Sequence, residues 1–139
     1  MLVDFDMLPL RSLDGGDPRA LDVKVAGPAG LLVAKLHKIE ERNGTPRAVD
    51  KDALDVLRLL RGVSTEDLTA RMRRVLADRS SEEPGRRGMT LLGSLFGRGG
   101  DGAEMAARAA AGAMDADEVK VSCEVLAGDL AGAIGWREG

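Results

Sequence analysis

Apolar and polar positions alternate along the first 26 residues. Leu2, Val3, Phe5, Met7, Leu8 and Leu10 are interleaved with Asp4, Asp6 and Pro9, and Leu21, Val23 and Val25 with Asp22 and Lys24. A period near two predicts two short antiparallel strands, with Asp14-Gly15-Gly16 as the turn between them. Gly27-Pro28 ends the second strand, and Pro28 suits the first turn of a helix, where its missing N–H would have no acceptor. The period then lengthens to that of a helix. A first helix is expected from about Ala29 to Arg42, stopped by Asn43-Gly44-Thr45-Pro46. Asp50 is expected to cap a second helix through Leu60, with Ala53, Leu54, Val56, Leu57 and Leu60 as its apolar face.

Gly62 closes the second helix, and Ser64 with Asp67 resembles a capping box with Asp in place of Glu. A third helix follows, with Leu68, Met72, Val75 and Leu76 on one side. Ser80 to Gly88 is rich in Ser, Gly, Pro and charge and reads as an exposed loop, Thr90 to Phe96 as a short helix, and Gly97 to Gly102 as a second, mobile loop. Ala103 to Ala113 reads as an alanine-rich helix. Val119, Cys123, Leu126, Leu130 and Ile134 space out the seam of a last helix behind an acidic first turn at Asp115, Asp117 and Glu118. The expectation is a mainly α protein: a short N-terminal β-hairpin (1–26) followed by a bundle of five to six helices (27–139), in a single domain.

Composition sharpens this picture. The chain has 139 residues, 44% hydrophobic and 31% charged, enough for one core without metal or crosslinks. Aromatics are only 2% with no tyrosine, so the core must be aliphatic and the aromatic platforms that stack nucleobases are excluded. The longest apolar run, Ala26 to Ala34, falls far short of the ~20 residues that span a bilayer. No signal-peptide pattern opens the chain, so no membrane association and a cytoplasmic location are expected. Cys123, the one cysteine, has helical spacing from Val119 and Leu126 and reads as a small core residue. Net charge is −3 overall, but residues 1–60 carry −1, 61–100 carry +3 and 101–139 carry −5. That balance gives no global pull toward nucleic acid, while the basic middle leaves local phosphate contacts open beside simple internal pairing with the acidic tail.

One lysine is oddly placed. At 100° per residue, Lys35 falls inside the arc of Leu31, Leu32, Leu36 and Ile39 rather than opposite it. A partly buried ammonium either snorkels to an edge or meets an anion. His37 projects to the polar side and has no second His or Cys at ligand spacing. On the second helix Lys51, Asp55 and Arg58 stand at i, i+4 and i+7, away from the leucines, with Asp52 at the flank. They form either a surface ion-pair ladder or, if Asp52 and Asp55 face Lys35 across the helix pair, part of a site. Asp4 and Asp6 have the spacing of a metal-binding carboxylate pair but lack a phosphate-holding loop. The glycines at 97–102 lack the Gly-Lys-Ser/Thr ending of such a loop.

The segment Val25-Ala-Gly-Pro-Ala-Gly-Leu-Leu-Val-Ala-Lys-Leu-His-Lys-Ile39, then Arg42, then Val49-Asp-Lys-Asp-Ala-Leu-Asp-Val-Leu-Arg-Leu-Leu60, resembles the later half of nucleotidyltransferase-like proteins of the AbiEii toxin type. The shared pattern is a Lys-Leu-His helix followed by Lys-Asp-x-x-Asp on the next, and the likeness covers about residues 1–60. The resemblance implies Lys35 as a phosphate-contacting cation with Lys51 and Arg42 beside it, and Asp52 or Asp55 as the acidic catalytic partner. For the intact family it implies magnesium with a nucleoside triphosphate, and toxin–antitoxin pairing. The family's Gly-Ser loop and metal-carboxylate strand lie upstream of the matched region, so no cofactor is expected in this chain. Nucleotidyl transfer depends on metal ions and positioning. The implied reading is therefore a truncated, non-catalytic nucleotidyltransferase-like domain with a partial nucleotide subsite. Two further readings stand beside it: one half of a split enzyme, and a helical interaction module that pairs with a partner chain or a second copy through its N-terminal strands.

Overall fold

The computed structural model describes residues 5–11, 20–42 and 50–137, the strands by their backbone. The expected turn at Asp14-Gly15-Gly16, the stop at Asn43–Pro46, Asp4 and the side chain of Asp6 lie outside the described residues. Strands β1 (Phe5–Arg11) and β2 (Ala20–Ala26) pair antiparallel with Phe5 opposite Ala26 and Arg11 opposite Ala20. Six helices follow: α1 (Pro28–Arg42), α2 (Asp50–Gly62), α3 (Thr65–Ala77), α4 (Glu82–Phe96), α5 (Asp101–Ala109) and α6 (Ala116–Ile134). The described chain is thus mainly helical.

Burial follows the apolar stripes. Leu32, Leu36 and Ile39 of α1 pack with Ala53, Val56, Leu57 and Leu60 of α2, with Leu68 and Met72 of α3, and with Met89, Leu92 and Phe96 of α4 in one cluster that excludes water. α2 lies among α1, α5 and α6, and α1 rests on α2, α3 and α4. Small residues Ala103, Ala106 and Ala107 on the inner side of α5 permit its close approach to α2. Leu31 departs from the predicted arc: it is 40% exposed.

The largest correction concerns residues 80–96. The expected exposed loop at Ser80–Gly88 is the first half of α4, and the expected short helix at Thr90–Phe96 is its second half. Pro84 is accommodated in the first turn, where no N–H is needed, and Glu82 and Glu83 complement the positive end of the helix. The glycines serve packing. A Cβ at Gly85 would stand 2.9 Å from Val75 Cγ1, and one at Gly88 3.2 Å from Val33 Cγ2. Both residues are buried, so the composition that mimics a loop instead brings α4 against α3 and α1.

The second expected loop shrinks likewise. Only Gly97–Gly100 lie outside helices, Asp101 and Gly102 already belong to α5, and α5 ends at Ala109 rather than Ala113. Gly99 has φ +75°, which a side chain would disfavour, and a Cβ at Gly100 would collide with the Leu95 carbonyl oxygen at 2.3 Å. At the caps, Ser64 Oγ accepts from Asp67 N–H at 3.1 Å, but the Asp67 carboxylate accepts from Arg71, so only half of the expected capping box forms. The expected cap Asp50 is instead the first residue of α2, and its two oxygens accept from Arg108 of α5. Asp115 caps α6 by accepting from Glu118 N–H.

Candidate functional site at the α1–α2 seam

The twist of α1 puts Lys35 one turn from both Leu32 and Ile39, so its stem lies on apolar surface while its ammonium points toward the start of α2. There Nζ stands 3.1 Å from Asp52 Oδ1 and 3.1 Å from Asp55 Oδ2. The two carboxylates are three residues apart, hence on one helical face, and α1 and α2 pack with that face turned toward Lys35. The Lys35 side chain is 28% exposed and that of Asp52 only 10%. Of the ladder, the Asp55–Arg58 pair is present at 3.5 Å, whereas Lys51 is exposed and in no ion pair among the described residues. Arg42 reaches Asp52 Oδ2 at 4.0 Å.

A further cation belongs to the cluster. Lys38 Nζ lies 3.5 Å from Asp52 Oδ1. The signal was in the sequence: Lys35, Lys38 and Arg42 recur at i, i+3 and i+7, one edge of α1. Lys35, Lys38 and Arg42 thus gather around Asp52, and Lys35 and Arg58 around Asp55. Beside them a groove of about 420 Å³ is lined by Leu31, Lys35, Asp55, Arg58, Leu59, Gly62 and Val63.

Electrostatics follow the geometry. The Lys35 ammonium is held above the usual lysine range by its hydrogen bonds with Asp55 and Asp52, against a smaller opposing effect of burial. Burial pushes the Asp52 carboxyl upward, but the hydrogen bond and charge of Lys35, joined by Lys38, outweigh it and hold Asp52 below the usual carboxylate range. Lys35 and Asp52 are therefore both charged at neutral pH. An ammonium has three N–H donors; two are engaged here, and the third is available to an incoming acceptor.

Magnesium does not fit this donor set. It takes near-octahedral oxygen coordination, whereas the two carboxylates share an ammonium lodged between them, and among the described residues no three His, Cys, Asp or Glu side chains converge. His37 is engaged elsewhere: its Nε2–H donates to the Pro84 carbonyl at 3.0 Å, joining α1 to α4. Cys123 is fully buried, and burial pushes its thiol up to about 11. No described helix is long and apolar enough to cross a membrane. The basic middle pairs in part internally, Arg71 with Asp67, Arg86 with Glu82 and Arg87 with Glu40. Comparison with known proteins finds no matching family model, no similar curated protein and no similar solved structure.

Proposed function

We propose that this chain is a nucleotidyltransferase-like helical domain, not catalytic by itself, whose α1–α2 seam contacts the phosphates of a nucleotide. In this reading the N-terminal hairpin belongs to the nucleotidyltransferase core. The observation that carries it is the half-buried Lys35 ammonium between Asp52 and Asp55. These are the positions that the Lys-Leu-His and Lys-Asp-x-x-Asp pattern marks. Lys35 offers its third N–H, Lys38 and Arg42 bring further cations beside Asp52, and Asp52 and Asp55 fix the ammonium rather than act as metal ligands. The two carboxylates also oppose any anion that lacks simultaneous contact with the cations, which favours a polyphosphate over a single phosphate.

Calorimetric titration with each nucleoside triphosphate, with and without magnesium, tests this. Saturable heat in the wild type and its loss in Lys35→Ala and in Lys38→Ala/Arg42→Ala are expected. Equal heats in all three proteins remove the site.

A further inference from the structure

The outward side of α6 carries an apolar stripe that the nucleotide reading does not use. Val121 is 58% and Val125 51% exposed. Gly128 and Gly132 continue the same line at i+7 and i+11 from Val121; both are exposed, and a Cβ added at either would meet nothing within 4 Å. At 100° per residue these four positions span about 60° of the helix surface. Asp117 and Glu124 lie on one side of that stripe and Glu118 and Asp129 on the other, each about 50–70° from its midline. All four carboxylates are exposed, and none has an ion-pair partner among the described residues. Of the other described acidic residues, Asp50, Asp52, Asp55, Asp67, Glu40 and Glu82 each pair with a Lys or Arg, while Glu41, Glu66, Asp78, Glu83, Asp101, Glu104 and Asp115 have no ion pair among the described residues either; the α6 face is set apart by its two exposed valines. Arg61 reaches only the edge of this face, where it donates to Ser122 Oγ at 2.7 Å.

We propose that this face of α6 docks a cationic amphipathic helix of a partner protein. The two glycines let a second backbone approach closely while Val121 and Val125 supply the apolar contact, and the four carboxylates meet Lys or Arg on both flanks of the incoming helix. The same charge pattern disfavours a second copy of this chain, because a two-fold contact would set acidic flank against acidic flank. The inference is independent of the seam between α1 and α2.

The test uses the full chain and a synthetic, fluorescently labelled helix with a Leu/Ala stripe flanked by lysines, followed by anisotropy. Two companions are a Glu-flanked twin and a Lys-flanked peptide with serines in place of the stripe. Saturable binding of the first peptide, at least about tenfold weaker binding of both companions, and about tenfold loss in Val121→Asp/Val125→Asp are expected. These residues are exposed, so the fold should persist, as far-UV circular dichroism checks. Glu124→Lys/Asp129→Lys should shift preference toward the Glu-flanked twin. The proposal is overturned by no saturable binding, by equal binding of the serine peptide, or by indifference to the substitutions. A concentration-dependent dimer that Val121→Asp abolishes would overturn it too, since the occupant would then be a second copy.

Discussion

The Lys35 side chain illustrates how a single residue couples stability to charge. Removing it leaves Asp52, whose side chain is 10% exposed, without its nearest cation. Lys35→Met should cost about 1–3 kcal/mol in urea denaturation at neutral pH, a range discounted for solvent reaching the lysine. The sign of the pH dependence follows from the two directions. Asp52 is depressed, so its contribution is present above the ordinary carboxylate pKa and is lost as pH falls through its lower folded value. Lys35 is raised, so its contribution is full below the ordinary lysine pKa and is lost as pH rises through its higher folded value. The stability difference between wild type and Asp52→Asn should therefore be flat at neutral pH and shrink in acid; a difference that grows in acid contradicts the bridge. Cys123 gives a simpler expectation. With its thiol pushed up to about 11 in the core, it should resist alkylation at pH 7 until the chain unfolds. The odd placement of Lys35 was legible from helical periodicity. Its acceptors, Asp52 and Asp55, were legible only as one of two alternatives, because surface ladder and buried bridge share one spacing and differ only in which way α2 faces α1.

At the scale of elements, α1, α2, α3 and α6 were legible because their apolar positions recur every three to four residues and because Pro28, Ser64 and Asp115 mark their starts. The first half of α4 was hidden because Ser80, Ser81, Pro84, Gly85 and Gly88 have the chemistry of a loop. Local propensity lost to packing there: Val75 and Val33 occupy the space where side chains would stand. Two substitutions separate these roles. Alanine favours a helix over glycine by about 1 kcal/mol, yet Gly85→Ala should lose about 1–3 kcal/mol net by forcing Val75 and Leu76 aside. Gly128→Ala, with open space around it, should gain up to about 1 kcal/mol. Thermal denaturation of both variants decides; a stabilised Gly85→Ala would mean that α4 does not approach α3 as closely as described.

Across the whole molecule, one aliphatic cluster joins all six helices, with Phe96 the largest fully buried side chain. Phe96→Ala should cost about 3–5 kcal/mol. The mainly helical class was readable from scarce aromatics and helical periods, but the fit between helices depends on long-range packing that no local pattern encodes. Function is written less plainly still: the Lys-Leu-His and Lys-Asp-x-x-Asp pattern points to the seam, and its geometry brings Lys35, Lys38 and Arg42 around Asp52, with no metal-ligand set among the described residues. The most direct test is lysine-selective NMR of the side-chain nitrogens during titration with a nucleoside triphosphate. The account predicts saturable movement of the Lys35 and Lys38 signals while those of exposed Lys51 and of Lys120, on α6, stay near their starting positions. Lys35 and Lys38 signals that stay fixed, or that move no more than those of Lys51 and Lys120, would contradict it.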